Sequence, residues 1–149
     1  MDAIAKNIVG TWDHIGNDDM GPFLDAIGAS EDAKEIMMNS CPRLTFEVTG
    51  DKVLATNTPN PAMAPSSIVT YQFALEKEFS IELLNLTVKM CISWEDGKMV
   101  QKIRTETDAL KNHQIEYSQN EKGQLVQAYC FKSENKEDVT ATVTFERAR

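Results

Sequence analysis

The side chains that most often perform catalysis are few in this chain and widely spaced. It contains two histidines, His14 and His113, and three cysteines, Cys41, Cys91 and Cys130. No Gly-x-Ser-x-Gly elbow, His-x-x-x-His pair, Cys-x-x-Cys pair or glycine-rich phosphate loop occurs. Three cysteines leave one unpaired in any disulfide scheme, which is typical of a reducing compartment. The sequence therefore predicts no catalytic residue, no metal site and no cofactor.

A second set of side chains is suited to hydrogen bonding inside a folded core. Gln101, Gln127 and Tyr129 occur among apolar residues in alternating stretches, and Tyr117 is a further candidate. A glutamine offers a donor and an acceptor, and a tyrosine offers a hydroxyl. These groups are suited either to the polar end of a buried ligand or to ordered internal water, and the residues alone leave both uses open.

Most of the chain alternates between apolar and polar residues with the period of two that is typical of β-strands. We predict about ten strands, one of them near residues 113–119, joined by short turns such as those at 49–51 and 95–98. Short hairpin turns make the sheet antiparallel, with an up-and-down order. A sheet this wide must close into a barrel. Because about eight strands enclose only enough space for their own side chains or one small ligand, ten strands should enclose a cavity.

A helix-turn-helix is predicted immediately after the first strand. Asp18 or Asp19 can cap a short helix that runs through Ala26, with Gly28 just past its end. Ser30 can cap a second helix over residues 31 to about 39. The linker between the two helices is tight, so the pair should form a hairpin that packs as a lid on the barrel.

The chain is acidic, with a formal net charge of -8 and an isoelectric point near 4.7. Such a chain should repel nucleic acid and anionic membranes, since both attract clustered Lys and Arg. The predicted hairpin has one lysine, Lys34, against six acidic residues, Asp18, Asp19, Asp25, Glu31, Asp32 and Glu35.

The length of the chain, 149 residues, favours a single domain spanning 1–149. No basic leader followed by an apolar run and no apolar stretch long enough to span a membrane occurs, so we expect a cytoplasmic protein.

Several short motifs, in order along the chain, resemble one known family. They are Gly10-Thr11-Trp12, Phe23 to Gly28, Thr49 to Lys52, Asp96-Gly97-Lys98 and Phe145 to Ala148. Their order and spacing are similar to those of the intracellular lipid-binding proteins, which include the fatty-acid-binding proteins and the cellular retinoid-binding proteins. The resemblance implies an all-β, calycin-like, ten-stranded antiparallel up-and-down β-barrel (a β-clam) capped by the N-terminal helix-turn-helix. It also implies a monomer that admits its ligand beneath the helices.

The head-group site departs from the family. Many members hold a carboxylate with an Arg-x-Tyr pair on the last strand and an arginine on an earlier one. At the matching place this chain has Val143-Thr144-Phe145, and no arginine occurs in residues 115–118. An unpaired buried carboxylate costs several kcal/mol. Either the ligand is neutral or has a small polar group, or an acid head is held elsewhere, by water or near the portal. Glu116 would disfavour an acid further if it faced inward, and alternation leaves its side open.

Two groups of residues form the predicted site. The cavity wall comprises Phe46, Tyr71, Phe73, Met90, Ile92, Ile103, Gln127, Tyr129, Val143 and Phe145. The portal comprises Met20, Phe23, Leu24, Ile27, Met37 and Met63.

The predicted function is a non-enzymatic intracellular carrier that holds one hydrophobic ligand, a long-chain fatty acid or a more neutral lipid or retinoid-like molecule. Burial of a sixteen-carbon tail offers a gross ~12 kcal/mol before ordering costs. The cytoplasm is the expected compartment, with the nucleus as a second one. The alternative is an interaction scaffold with a vestigial cavity, which docks a partner through the acidic hairpin or through the proline-rich segment at residues 57–67.

Overall fold

The computed structural model describes residues 2–39, 41–58, 68–83, 86–105, 111–132 and 138–148. Its helices are α1 (Asp2–Asn7), α2 (Met20–Ile27) and α3 (Glu31–Asn39). Its strands are β1 (Gly10–Asp18), β2 (Arg43–Thr49), β3 (Lys52–Thr58), β4 (Val69–Ala74), β5 (Phe79–Leu83), β6 (Leu86–Glu95), β7 (Lys98–Thr105), β8 (His113–Gln119), β9 (Leu125–Lys132) and β10 (Asp138–Arg147).

The ten strands form one antiparallel sheet in the order β4-β3-β2-β1-β10-β9-β8-β7-β6-β5. Strands that are consecutive in the sequence pair with each other, except β4 and β5, which form the two edges of the sheet. Strand β1 also pairs with β10, so the sheet curls into a nearly closed barrel. The predicted ten-stranded up-and-down β-barrel with a helix-turn-helix is therefore confirmed.

Side chains connect the two edge strands, β4 and β5. The Phe79 ring stacks on Tyr71, with centroids 5.6 Å apart and planes at 26°, and on Phe73 at 6.0 Å and 9°. The backbone N–H of Glu76, in the turn between these strands, donates to the Ile92 carbonyl at 2.8 Å. Aromatic stacking thus completes the wall where the hydrogen-bonded order of strands ends, because large flat rings can cover the gap between two edges.

Alternation along each strand separates the two faces of the barrel. On β7, Gln101 and Ile103 are buried, whereas Lys102 and Arg104 are exposed. The same period on β10 buries Ala141, Val143 and Phe145. All predicted cavity-wall residues are buried or half-buried.

Helices cover opposite ends of the barrel. At the end of β8, Gln119 Nε2 donates to the Asn7 carbonyl of α1 at 2.7 Å. Just before β8 begins, the Lys111 N–H donates to the Ile27 carbonyl of α2 at 2.8 Å. Because one strand touches α1 at one end and α2 at the other, α1 closes the end opposite the helical hairpin. Helix α1 was not predicted from the sequence, although its Ile4 and the following Ile8 are fully buried.

The predicted helix caps are correct at two of the three positions. Gly28 ends α2 with a left-handed φ of 85°, and Ser30 Oγ accepts the Ala33 N–H at 3.2 Å. The cap by Asp18 or Asp19 is wrong. Asp18 is the last residue of β1, and Asp19 has a φ of 61° and makes no side-chain hydrogen bond to α2. A capping side chain points back over the first turn only from an extended backbone, which Asp19 does not have.

Candidate functional site

Four polar side chains lie together on the inner face of three neighbouring strands. Gln101 of β7 is paired with Ile115 of β8, which is paired in turn with Tyr129 of β9. In the adjacent row of the ladder, Tyr117 of β8 is paired with Gln127 of β9. Inward side chains from neighbouring rows are within reach of one another. We call these four residues and Tyr71, which reaches them from β4, the Tyr–Gln cluster.

Hydrogen bonds join the members of the Tyr–Gln cluster in pairs. The Tyr117 hydroxyl donates to Gln101 Oε1 at 2.8 Å, and the Tyr129 hydroxyl donates to Gln127 Oε1 at 3.1 Å. Gln101 Nε2 donates to the Met90 sulfur at 2.9 Å. Among the residues that the structure describes, no buried side-chain nitrogen or oxygen lacks a partner. The cluster therefore consists of separate hydrogen-bonded groups whose buried donors and acceptors have partners.

Two contacts cross the barrel interior. Tyr71 of β4 reaches the Gln101 side chain of β7, which opposes the rise that burial causes in the Tyr71 pKa. Phe46 of β2 packs edge-on against Tyr117 of β8, with centroids 5.9 Å apart and planes at 85°. At this level, side chains from opposite walls of the barrel approach one another across the interior.

The Tyr–Gln cluster carries no charge. Burial raises the pKa of Tyr71 to about 12, and it also raises the pKa values of Tyr117 and Tyr129 above that of a free tyrosine. Within the described ranges, the buried polar or charged side chains are Gln101 and Gln127. The interior therefore offers hydrogen bonds to a ligand without a counter-charge.

The helical lid contacts the Tyr–Gln cluster directly. The Phe23 ring of α2 packs edge-on against Tyr129 at 5.5 Å and against His113 at 5.7 Å. The predicted portal side chains of α2 are at most 4% exposed, so they pack toward the barrel on the inner face of the lid. They are Met20, Phe23, Leu24 and Ile27. Met37 of α3 is half-buried against this core. Met63 and the segment at 59–67 lie outside the described residues.

The two residues that the sequence motifs match to a carboxylate anchor, Val143 and Phe145, have apolar side chains. Val143 is paired with Gln127 and is 6% exposed, and Phe145 is fully buried. Glu116 faces outward, because its carboxylate is 3.4 Å from Lys98 Nζ on the barrel surface. The possibility that Glu116 points into the barrel is therefore wrong. Its register was uncertain in the sequence, and the pairing of Glu116 with Val100 and Ala128 fixes it.

His113 should make stability depend on pH. Burial lowers the pKa of His113, although its hydrogen bond to the Lys111 carbonyl opposes this. The unfolded chain therefore binds a proton more readily than the folded chain. The free energy of unfolding should decline as the pH falls below about 6.5, the ordinary pKa of histidine. Urea denaturation at pH 7.5 and pH 5.5 measures this.

A matched pair of variants identifies the histidine responsible. His113→Gln should flatten the loss between the two pH values. His14→Gln should flatten it less, since burial also lowers the pKa of His14 but fewer protein atoms surround that ring. An unchanged slope in His113→Gln would contradict the assignment.

Two surface grooves lie outside the barrel wall. One is lined by Lys98, Glu116 and neighbours, and the other, of about 330 Å³, by Lys102, Lys132 and neighbours. Neither groove is the barrel interior, so the enclosed cavity stays a prediction.

The described portion of the chain holds no group of three or more His, Cys, Asp or Glu side chains that could bind a metal ion. It also holds no helix long and apolar enough to cross a membrane.

No family model matches the sequence, and no curated protein sequence matches it. Solved structures do match. The fluorescent protein UnaG is 22% identical with a TM-score of 0.80, over 97% of this chain and 99% of UnaG. Lipid binding protein 8 of Caenorhabditis elegans is 14% identical with a TM-score of 0.78, over 96% of each chain. The fatty-acid-binding protein of Manduca sexta is 17% identical with a TM-score of 0.75, over 95% of this chain and 99% of that one.

The fold defines a class. This chain has the ten-stranded, helix-capped barrel of the fatty-acid-binding and lipid-binding proteins over nearly its whole length. The resemblance in the sequence motifs is therefore confirmed as a likeness of fold. The Tyr–Gln cluster, and Val143 and Phe145 beside it, are features of this chain's own interior.

Proposed function

We propose that this protein is a non-enzymatic carrier that binds one hydrophobic ligand inside the barrel. The observation that carries the proposal is the inner face, which is apolar except for the uncharged Tyr–Gln cluster beneath the lid. Structures with this fold include proteins named for binding fatty acids and lipids. The ligand is a long-chain fatty acid or a more neutral lipid, and no Arg-x-Tyr pair anchors it.

One observation favours a second candidate. The cross-barrel contact between Phe46 and Tyr117 and the burial of nearly all inward side chains fill the interior at the level of the cluster. A protein whose barrel is plugged by its own side chains would serve as an interaction scaffold. In that case the acidic hairpin is the surface that meets a partner.

Ligand binding separates the two candidates. We expect lipid to be found by mass spectrometry in protein taken directly from its source, and one equivalent of the neutral dye Nile red to bind the delipidated protein. Ala141→Phe, which adds a ring to the inner face beside Tyr129, should weaken dye binding at least tenfold. Ala128→Phe adds the same ring to the outer face beside Glu116 and should leave binding unchanged.

Thermal denaturation of both variants shows whether each has folded. A protein that carries no lipid and binds no dye would favour the scaffold. Equal dye binding by the two folded variants would place the dye outside the barrel.

The hairpin should not attract anionic membranes. Glu31 and Asp32 are exposed in the first turn of α3, and the only lysine of the hairpin, Lys34, is 2.8 Å from the Asp25 carboxylate. We expect no salt-dependent binding to vesicles that contain phosphatidylserine at pH 7.4, measured by co-sedimentation. Strong binding at low salt that disappears at high salt would contradict this.

The remaining features of the proposal follow from the carrier role. The protein acts as a monomer with a single lipid-binding domain over residues 1–149. It works in the cytoplasm, with the nucleus as a second compartment, and it uses no cofactor, metal or nucleic-acid partner.

A further inference from the structure

A buried amide donor in the barrel has a poor acceptor. Gln101 Nε2 donates to the Met90 sulfur at 2.9 Å, and both side chains are 3% exposed. A thioether sulfur accepts hydrogen bonds weakly in comparison with an oxygen. Methionine is also unbranched and flexible, so Met90 can move aside at low cost. A ligand oxygen at this point would give Gln101 a better acceptor than the protein supplies.

The groups around Gln101 extend this site. Its Oε1 accepts the Tyr117 hydroxyl at 2.8 Å, and the Tyr71 side chain reaches Gln101 from the opposite wall. Ile92, paired with Gln101 across β6 and β7, and Ile103, two residues further along β7, are 1% and 5% exposed. A polar ligand end bound here would have apolar walls on both sides for its hydrocarbon chain.

The charge at this place decides between ligand classes. The buried polar or charged side chains in the described part are two glutamines, so no buried cation faces the cluster. An ionised carboxylate would be buried without a counter-charge, which is strongly unfavourable. A hydroxyl, carbonyl or amide has no charge to desolvate and needs only hydrogen bonds, which Gln101 and its two tyrosines offer.

We propose that Gln101, with Tyr71 and Tyr117, binds the uncharged oxygen-bearing end of a long-chain lipid, and that this oxygen takes the place of the Met90 sulfur. Alcohols, amides and neutral carbonyl compounds are then preferred over ionised fatty acids. This inference rests on the carrier function proposed above and adds to it the chemical class of the ligand and the atom that selects it.

Four twelve-carbon probes test the selectivity at pH 7.5: dodecane, dodecanol, dodecanamide and dodecanoate. Each competes with Nile red for the full-length protein. We expect dodecanol and dodecanamide to bind at least about fivefold more tightly than dodecane, which is the contribution of one net hydrogen bond. Dodecanoate should bind at least about tenfold more weakly than dodecanol.

Two variants with opposite expected effects test whether Gln101 Nε2 binds the ligand oxygen in place of the Met90 sulfur. Gln101→Met should lose the preference for dodecanol over dodecane and leave dodecane binding unchanged. Met90→Leu removes the sulfur and leaves the Gln101 N–H to the ligand alone, so dodecanol should bind about threefold more tightly. Gln72→Met makes the same glutamine change on the exposed face of β4 and should alter nothing. A merely structural role of Gln101 would not produce tighter binding in Met90→Leu.

The outcomes distinguish a failure of the preference for uncharged ligands from a failure of the carrier function. If dodecanoate binds most tightly, or if dodecanol gains nothing over dodecane, the inference is overturned and the carrier function stands. If the wild-type protein binds neither Nile red nor any probe, the carrier function itself fails. Should Gln101→Met not fold, the Met90→Leu result decides, since weaker or unchanged dodecanol binding in that variant contradicts the displacement of the sulfur.

Discussion

Replacing Trp12 with alanine should lower the free energy of unfolding by about 3–5 kcal/mol. Trp12 is fully buried, and its Nε1 donates to the Ile8 carbonyl at 2.9 Å. The Arg147 guanidinium lies 4.3 Å from the ring centroid, in a cation–π contact. Trp12→Ala therefore removes a large core side chain, a buried hydrogen bond and the contact that joins β10 to β1. Urea denaturation followed by circular dichroism measures the loss.

The second tryptophan of the chain is the matched control. Trp94 on β6 is half-buried, so Trp94→Ala should destabilise the protein by clearly less than Trp12→Ala. Trp12→Phe should fall between wild type and Trp12→Ala, because the ring is largely kept and the N–H is lost. Equal losses for the two alanine variants would contradict this prediction.

The same neighbourhood explains why the motif is Gly-x-Trp. Gly10 has a φ of 132°, and a Cβ there would lie 2.6 Å from Arg147 Nη1. That guanidinium also donates to the Val9 carbonyl at 3.1 Å, so it is held in place across Gly10. Glycine leaves the space that Arg147 needs to reach Trp12.

The strands could be predicted from the sequence because burial on one face imposes period two. The predicted strand at 113–119 coincides with β8 (His113–Gln119), and the inward side of β10 was predicted correctly. Six-residue α1 was missed because Ile4 and Ile8 mark a single turn of apolar spacing, which is too short for a helical period. Its stability comes from packing on the barrel end, a contact that local sequence does not encode.

The polar side of the candidate site was predicted only in part. Alternation identified Gln101, Gln127 and Tyr129 as inward, and it placed Tyr71 with the cavity wall. It gave no sign that Tyr71 reaches Gln101 across the barrel, or that Met90 accepts a hydrogen bond from that residue. Those contacts depend on how the sheet closes and on which rows face each other, and neither is a local property of a strand.

The alternative in which the ligand is an acid can be tested by adding a cation to the neutral interior. Val143→Arg should lower the free energy of unfolding by about 3–5 kcal/mol, because it buries a guanidinium without a partner beside Gln127. A bound carboxylate would pair with that guanidinium, so dodecanoate should raise the melting temperature of the variant, whereas dodecanol should do so much less. Differential scanning fluorimetry with each ligand measures both effects.

Thr144→Arg is the control for Val143→Arg, since it adds the same charge one residue away on the outward face of β10. It should change stability by less than about 1 kcal/mol and create no response to dodecanoate. The response of the wild-type protein to dodecanoate distinguishes a neutral ligand from an acid that is held elsewhere. If its interior lacks a counter-charge for an acid, dodecanoate stabilises Val143→Arg more than it stabilises wild type. If wild type responds to dodecanoate as strongly as the variant does, an acid head is held elsewhere in the protein, and the neutral interior at Val143 does not set the ligand class.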